Sequence, residues 1–514
     1  MPNPQLLFVS HRPAQLTNFN RSSDLCLLAV ILLMALMACA QQPNLVLHGT
    51  VRGDQNNTYV EVPFDVPADT ARLTISFHYT GKEERTTLDI GLQDPQRFRG
   101  WSGGNKSSFT ISATDATPSY LPGVLIPGTW KLWIGVPNIR PQSVASYEAN
   151  VYFEARGKTP PEGFSETPLR SGAGWYRGDL HMHTAHSDGS CKSLNGNKVP
   201  CPVFVTLQAA ATRGLDFVAV TDHNTVSQFD ALRELQPYFD RLLLIPGREI
   251  TTFEGHANLF GTTEFVDFRV GSGAVLEMKE LLRRIAQNGA IVSINHPDAP
   301  TGEACMGCGW RPKAGDIRLV SAIEAVNGGA EEGPYSGVPF WEQQLNAGYK
   351  LTAIGGSDNH NPELPFDKPG SVGSPTTVVY ASDLSVAGIL AAIRSGRVFV
   401  DLTTSKDRLL DFSAQTGTTK AAMGGELHAN SGEVVSLSTH AVGCSGSQLR
   451  VLIDSRQDKN IPTVPITSAD QTLAARWQSD GKRHWLRADV VSESGKLELL
   501  GNPIYVNFGG ERRE

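Results

Sequence analysis

The feature that most constrains this chain is a set of histidines, each placed where a short apolar run gives way to a polar segment. They stand in the segments GDLHMHT, VAVTDHN, EGHANLF, IVSINHP and IGGSDNH, and they are His181, His183, His223, His256, His296 and His360. The chain has 13 histidines, and seven of them fall between positions 181 and 360. Short apolar runs bounded by turn residues are typical of buried strands. The pattern therefore predicts several strands that end on imidazoles.

Four acidic residues accompany these histidines, namely Asp188, Glu249, Asp358 and Asp179. Imidazole and carboxylate groups are the ligands that hold divalent metal ions, and such ions activate water. His181 and His183 are two positions apart, so both side chains lie on one side of an extended strand and can bind one ion together. Asp358 and His360 repeat this spacing. We expect Asp179 to orient an imidazole rather than to bind an ion.

The segment from 175 to 400 alternates between strand-like and helical patterns. The helical patterns are VFVTLQAAATRG, VSQFDALRELQPYF, AVLEMKELLRRIAQNG, VPFWEQQLNAG and DLSVAGILAAIRSG, and strand-like runs such as DFVAVTDH and AIVSINHP lie between them. Alternation of this kind indicates a largely parallel sheet, either open or closed into a barrel. The carboxyl ends of such strands meet on one face, so the candidate ligands are predicted to share one site.

The two flanking regions have a different pattern. Residues 45–156 and 401–514 contain short alternating runs separated by turn residues, which predicts a β-sandwich on each side of the central segment. Residues 157–174 are rich in Pro, Gly and Ser and are predicted to be a linker. The expected fold class is therefore α/β plus all-β, with a central α/β unit at 175–400.

Residues 1–40 are predicted to be an export signal. Leu25 to Met37 is an apolar run too short for an ordinary membrane-spanning helix, and it ends in LMACAQQ. The segment around Cys39 resembles a bacterial lipobox, which would make Cys39 a lipid anchor, and ordinary signal cleavage is the alternative. We expect an exported protein, either periplasmic or anchored to the envelope as a lipoprotein.

Cysteine usage and charge add two expectations. Cys191 and Cys201 bracket a polar loop that a disulfide can close. The CMGC pair, Cys305 and Cys308, could be a disulfide, a redox pair or half of a zinc site; a loop disulfide is favoured, because no second cysteine pair lies nearby to complete a zinc site. Cys444 would then be unpaired. The net charge of −7 and the mixing of acidic and basic residues give no basic patch, so nucleic acid is not an expected partner. The expected partner is a small-molecule ester substrate.

The ordered set DLHMHTAHSDG, TDHN, PGRE, GHAN, INHP and GGSDNH resembles the PHP superfamily of metal-dependent phosphoesterases, and within it the CehA/McbA branch, named after a carbaryl hydrolase. The resemblance covers about 175–400, and it implies a distorted (β/α)7 barrel with two or three divalent metal ions. It assigns His181, His183, Glu249 and Asp358 to the first metal, Glu249, His256 and His296 to the second, and Asp188, His223 and His360 to the third. Asp188 stands where some relatives have His.

The chemistry expected of such a centre is hydrolysis by a metal-activated hydroxide, with Glu249, Asp358 and His360 as the residues expected to act in catalysis. Mixed imidazole and carboxylate ligands suit Zn, Mn and Fe alike. Arg177 and Arg248 flank ligand-bearing strands and are candidates for orienting an anionic substrate, although a structural ion pair is the commoner role of such arginines.

Three functions remain open on the sequence alone. A phosphoesterase follows from the superfamily resemblance, and a carboxylic or carbamic ester hydrolase follows from the branch. A non-catalytic envelope carbohydrate-binding protein is the third, because two β-sandwiches flank the centre. In that case an exposed aromatic such as one of Trp130 and Trp133 would bind sugar, although core packing is the commoner role.

Overall fold

The computed structural model describes residues 42–104, 106–155, 167–287, 289–302, 305, 307–311 and 317–509. The export signal at 1–40, with Cys39, and most of the predicted linker lie outside the described residues. No helix within the described ranges combines the length and the apolar character needed to span a membrane.

Residues 45–155 form two four-stranded sheets around one apolar core. The strands are β1 (Leu45–Arg52), β2 (Thr58–Val66), β3 (Thr70–Tyr79), β4 (Thr87–Gln93), β5 (Phe98–Gly103), β6 (Ser108–Ser112), β7 (Gly128–Asn138) and β8 (Val144–Ala155), with a short 3-10 helix at Gly53–Gln55. One sheet has the order β1-β8-β3-β6 and the other β2-β7-β4-β5. Period-two alternation places one side of each strand in the core, where Trp130 is fully buried. Trp133 is partly buried and donates to Gln93, at 3.0 Å.

The central region contains the five predicted helices, which are confirmed. They are α1 (Val203–Arg213), α2 (Gln228–Leu235), α3 (Met278–Gln287), α4 (Val338–Ala347) and α5 (Val386–Ser395). The strands are β9 (Arg170–Asp179), β10 (Ser190–Lys192), β11 (Lys198–Pro200), β12 (Phe217–Val220), β13 (Leu243–Thr251), β14 (His256–Phe260), β15 (Ile291–Ile294), β16 (Ala322–Asn327), β17 (Thr352–Gly356), β18 (Thr376–Leu384) and β19 (Val398–Asp401), with a 3-10 helix at Ile317–Leu319.

Strands β10 and β11 pair only with each other, and the other central strands belong to one mixed sheet with the order β17-β16-β15-β14-β13-β12-β9-β18-β19. The pairs β9–β12, β12–β13, β15–β16 and β16–β17 are parallel, whereas β14 is antiparallel to both of its neighbours. The expected strand–helix alternation is therefore interrupted. Only residues 252–255 separate β13 from β14, and a parallel crossover needs a dozen residues or more, so these two strands can only form a hairpin.

The two ends of this strand series meet beside β9. Met182, just beyond β9, forms a parallel bridge with Asn359, just beyond β17. The backbone N–H of His183 donates to Asn359 O at 2.8 Å. Met182 is buried in the apolar cluster that includes Val203 and Leu207 of α1. Because side chains alternate along an extended chain, His181 and His183 face the side opposite to Met182.

Some of the C-terminal strands continue the same sheet, and the others form a second one. The C-terminal strands are β20 (Leu409–Thr416), β21 (Thr419–Ala422), β22 (Glu426–Leu427), β23 (Val434–Val442), β24 (Gln448–Ile453), β25 (Arg456–Gln457), β26 (Val464–Pro465), β27 (Asp470–Gln478), β28 (His484–Val491), β29 (Leu497–Gly501) and β30 (Ile504–Val506). Strand β19 pairs with β29, so the hydrogen-bonded order runs on through β29-β28-β24-β25. A separate sheet, β21-β20-β23-β27, packs on the C-terminal part of it around a shared core.

Asn502 ties the C-terminal segment to the central strands. Its side chain accepts from Ala353 N at 2.7 Å and donates to Ala353 O and Val398 O, both at 2.9 Å. All of these groups are buried, and the amide connects the backbones of β17 and β19 by hydrogen bonds. Thr377 makes similar contacts, since its hydroxyl accepts from Gly355 N and donates to Gly355 O.

We expect Asn502→Ala to lower the free energy of unfolding by about 3 kcal/mol, because it leaves buried backbone groups of β17 and β19 without partners. The measurement is urea unfolding followed by tryptophan fluorescence. Asn430→Ala removes an exposed amide and should change the unfolding free energy by less than about 0.5 kcal/mol. Equal changes in the free energy of unfolding for the two substitutions would contradict the role assigned to Asn502.

Candidate metal centre

Glu249 stands at the centre of the predicted ligands. It lies near the end of β13, is 1% exposed, and has five imidazoles around its carboxylate. The closest approaches to its oxygens are listed from the shortest to the longest: His223 at 2.8 Å, His256 at 3.3 Å, His181 and His296 at 3.5 Å, and His183 at 3.6 Å. Burial alone would raise the pKa of this carboxyl, but the charges and contacts of the surrounding imidazoles hold it well below its usual value.

The first cluster joins the end of β9 to the loop after β17. Asp358 Oδ1 lies 3.3 Å from His181 Nε2 and 3.2 Å from His183 Nε2, and Glu249 Oε2 faces the same two nitrogens. Both histidines are fully buried. Asp358 has a φ of 52°, a left-handed backbone that is unfavourable for a residue with a side chain. Strain of this kind is kept where the surrounding structure enforces it, often at functional sites.

The second cluster is formed by the other carboxylate oxygen of Glu249. Oε1 lies 3.3 Å from His256 Nδ1 and 3.5 Å from His296 Nε2, and it accepts from Asn295 Nδ2 at 2.9 Å. His256 begins β14 and His296 follows β15, so the three strands of the hairpin region each supply one group. His296 also has a positive φ, of 27°.

The third cluster lies on the open side of the centre. Asp188, whose side chain is 57% exposed, faces His360 Nε2 at 3.3 Å and His183 Nδ1 and His223 Nε2 at 3.8 Å. Burial opposes ionisation of Asp188, but the hydrogen bond and charge of His360 lower its pKa to about 2. Burial likewise disfavours the charged form of His360, but Asp188 and Asp358 raise its pKa to about 9.

The structure therefore brings all nine predicted metal ligands together, and the three proposed catalytic residues lie among them. Glu249 is shared by the first and second clusters, and the imidazole of His183 faces the first cluster with Nε2 and the third with Nδ1. The groupings of donor atoms that lie close enough to hold an ion are His181 with His183 and Glu249, Glu249 with His256 and His296, and His183 with Asp188, His223 and His360.

Glu324 is a site residue that the sequence analysis missed. It lies in the middle of β16, is buried, and accepts from His181 Nδ1 at 2.8 Å. It also accepts from His296 N at 3.0 Å and from Asn327 Nδ2 at 3.1 Å. A carboxylate bonded to one imidazole nitrogen fixes the tautomer and turns the other nitrogen toward an ion. The available signal was a charged residue inside the apolar run SAIEAVN.

Asp179, expected to orient an imidazole, has another role. Its carboxylate accepts from the backbone N–H groups of His181, Ser357 and Gly373, at 3.2, 3.0 and 2.7 Å. Asp179 thus joins the end of β9 to the loop after β17. The imidazole of His181 is oriented instead by Glu324. Gly356 allows this close approach, because a Cβ there would overlap both Glu324 and His181.

The two candidate arginines do not reach the centre, and their proposed role in substrate orientation is wrong in this structure. Arg177 pairs with Asp401 and donates to the carbonyl groups of Ser405 and Arg408. Arg248 neighbours Glu249 on β13, so the alternation of side chains turns it to the opposite face. There it is 2% exposed and donates to Glu264 O at 3.3 Å.

Both predicted disulfides are present, and each lies beside the centre. Cys191–Cys201 closes the loop that carries β10 and β11, and in this loop Ser190 N donates to His360 O at 2.7 Å. Cys305–Cys308 lies next to His256. Cys444 is a free, buried cysteine, as predicted. His186 is bonded to Ser227 Oγ at 2.7 Å and stays apart from the ligands.

The donor set fits divalent metal ions. Two ligand atoms bound at about 2.1 Å to a tetrahedral ion lie about 3.4 Å apart. The corresponding separations are 3.2 to 3.6 Å in the first cluster, and 3.3 and 3.5 Å in the second. His181 Nε2 is a buried atom without a hydrogen-bond partner among the described residues, although such an atom is costly to leave unpaired. A cation bound between His181 and Glu249 would remove this cost.

Fold and site together define a candidate multinuclear metal centre in a strand-rich α/β protein. No protein-family model matches the sequence. A stretch of 130 residues is 31% identical to the uncharacterized protein MJ1587 of Methanocaldococcus jannaschii, covering 25% of this chain and 71% of that protein. The chain belongs to the same family as this archaeal protein.

Two solved structures are similar to this one. A two-domain protein of Bacteroides vulgatus, described as containing a predicted PHP-like metal-dependent phosphoesterase, is 20% identical with a TM-score of 0.36, over 66% of this chain and 97% of that one. A protein of Bifidobacterium adolescentis, provisionally assigned as a metal-dependent phosphoesterase, is 18% identical with a TM-score of 0.27, over 40% and 91%. TM-scores below 0.5 do not establish a shared fold, so the proposals rest on the geometry of the site.

We expect Glu249→Gln to weaken binding of Mn²⁺ or Zn²⁺ at least about 100-fold, because loss of a group that only orients a ligand already costs about 10- to 100-fold. The measurements are calorimetric titration and elemental analysis of the purified protein. Glu254→Gln changes an exposed carboxylate in the neighbouring turn and is the matched control. Metal content equal to that of the unchanged protein would show that Glu249 is not a ligand.

We expect Glu324→Gln to weaken metal binding by about 10- to 100-fold, because the amide no longer fixes the tautomer of His181. The melting temperature of the metal-free protein separates this positioning role from a purely structural one. A large loss of metal-free stability with unchanged metal affinity would contradict the assignment.

Proposed function

We propose that this protein is a metal-dependent hydrolase that cleaves ester bonds, with phosphoesters as the favoured substrates. The observation that carries the proposal is the carboxylate of Glu249, which faces five imidazoles at 2.8 to 3.6 Å and is shared by two ligand clusters. An arrangement in which one carboxylate serves two ions is suited to holding a water molecule and an ester between them. Membership of the PHP superfamily, in its CehA/McbA branch, is part of this proposal.

We also propose that the seven strands β9 and β12 to β17 form the distorted (β/α)7 barrel that the resemblance implies. The parallel bridge between Met182 and Asn359 supports it, because it connects the first strand of the series with the last. The hairpin of β13 and β14 would be the main distortion. The ends of these strands would then converge on one mouth, as the positions of the ligands require.

Different residues of the centre would hold the cations and orient the ligands during hydrolysis. Bound divalent cations lower the pKa of water and polarise an ester oxygen. His181, His183, Asp358 and Glu249 would hold one cation, and Glu249, His256 and His296 a second. Glu324 holds a proton on His181 Nδ1 and thereby keeps Nε2 free as a ligand.

His360 is the group best placed to handle a proton. It lies on the open side, and its pKa of about 9 means that Nε2 carries a proton at neutral pH when no cation is bound there. Nδ1 is already bonded to Asp358 O at 2.8 Å. Nε2 can therefore carry either a proton for the leaving group or a third cation, but not both at once.

A carboxylic or carbamic ester is the second candidate substrate, and two observations favour it. Arg177 and Arg248, the arginines nearest in sequence to the ligands, are both turned away from the centre. Phe253, in the turn between Glu249 and His256, is 87% exposed and could contact an apolar group of a substrate. The carbohydrate-binding alternative has less support, since Trp130 is buried in the N-terminal core and Trp133 is partly buried.

Export and envelope attachment, with a lipid at Cys39 or ordinary signal cleavage, are proposals as well. The two disulfides support them, because disulfides persist mainly in oxidising compartments. Mass spectrometry of the mature protein after expression in a bacterium would measure both the cleavage position and any lipid mass.

We expect nitrophenyl phosphate or bis(nitrophenyl) phosphate to be hydrolysed faster than nitrophenyl acetate in the presence of Mn²⁺ or Zn²⁺. His181→Ala should abolish this activity, whereas His186→Ala, whose side chain lies outside the clusters, should retain it. Activity restricted to the acetate would overturn the phosphoesterase proposal and favour the carboxylic ester. Activity equal in His181→Ala would overturn the metal mechanism.

A further inference from the structure

A second group of potential ligands lies next to the candidate metal centre. The donor atoms of His256, Cys305 and Cys308 all lie within 4.8 Å of one another. Cys308 Sγ is 4.0 Å from His256 Nδ1, and Cys308 is 1% exposed. The two cysteines are joined as a disulfide, so this group can bind a cation only after the disulfide has been reduced.

The described residues of the loop that carries the two cysteines pack against the segments that follow β13 and β15. Gly307, with a φ of 82°, packs so closely on Thr252 O that a Cβ would overlap it. The N–H of Trp310 donates to Pro297 O at 2.7 Å, next to His296, and the hydroxyl of Thr301 donates to Cys308 O. The cysteines are therefore held beside His256 by contacts on both sides of the loop.

The same nitrogen of His256 faces both groups. Nδ1 lies 3.3 Å from Glu249 Oε1, in the second cluster, and 4.0 Å from Cys308 Sγ. One lone pair binds one cation at a time. A cation held by the cysteines and this nitrogen would therefore remove His256 from the cluster that it forms with Glu249 and His296.

We propose that reduction of Cys305–Cys308 creates a binding site for a thiophilic cation such as Zn²⁺, with the two thiolates and His256 Nδ1 as ligands. An external dithiol supplies two electrons and two protons: the S–S bond breaks, two thiols form, and the dithiol becomes a disulfide. Binding of the cation then releases the two thiol protons. Thiolate and imidazole together favour zinc-like ions over hard cations.

The consequence for the centre rests on the proposed function, whereas the thiolate site itself does not. In the disulfide state His256 is available to the second cluster. In the dithiol state a cation held by Cys305 and Cys308 would bind Nδ1 of His256, and the second cluster would lose this ligand. Hydrolysis should therefore be lost in reduced protein that contains Zn²⁺. Oxidation with removal of the ion should restore it.

The test uses the full chain, reduced with dithiothreitol, desalted without oxygen and titrated with Co²⁺. We expect a near-ultraviolet thiolate-to-cobalt absorption band in the reduced protein and none in the oxidised protein. Cys308→Ser should abolish the band. Cys201→Ser, which removes one cysteine of the other disulfide, and Cys444→Ser, which removes the free cysteine, should leave it in place.

His181→Ala separates this proposal from the proposed function, because His181 belongs to the first cluster and not to the cysteine group. The band should persist in His181→Ala even if hydrolysis is lost, and it should weaken in His256→Ala. Absence of the band in reduced, unsubstituted protein, or its persistence in Cys308→Ser, would overturn the thiolate site whatever the hydrolytic activity.

Discussion

The arrangement of the centre depends on one buried carboxylate placed among imidazoles. A carboxylate at the position of Glu249 would be costly to bury alone, and several imidazoles in the same space would repel one another once protonated. Together they hold the pKa of Glu249 low, and cations would complete the neutralisation. The buried hydrogen bonds of Glu324 to His181 and His296 keep these groups in place, although the backbones of Asp358 and His296 are strained.

Much of this site follows from the sequence by simple rules. The ligands lie at strand ends, and the ends of neighbouring strands meet, so a shared site was predictable from the spacing of His181, His223 and His296. The hairpin of β13 and β14 was also within reach, because four residues cannot span a parallel crossover. The same alternation of side chains that points Glu249 inward should have excluded Arg248, its neighbour on the strand.

Other features were not predictable from one sequence. Glu324 resembles any buried polar residue in an apolar strand until β16 is seen beside His181. The exchange of roles between Asp179 and Glu324 depends on which carboxylate faces a ring and which faces backbone N–H groups, and this is decided by tertiary packing. The proximity of Cys308 to His256, 52 positions earlier in the chain, likewise results from tertiary packing, because Gly307 packs on Thr252 in the turn between β13 and β14.

The pairing of β19 with β29 makes the C-terminal strands part of the sheet that carries the ligands. A protein engineer could not exchange this region as a detachable module, because cutting the chain after β19 would expose a row of backbone donors and acceptors on a formerly interior strand. Such an edge is prone to pairing with other chains. Truncated versions should therefore self-associate, and variation among homologues should be concentrated in the loops rather than at this junction.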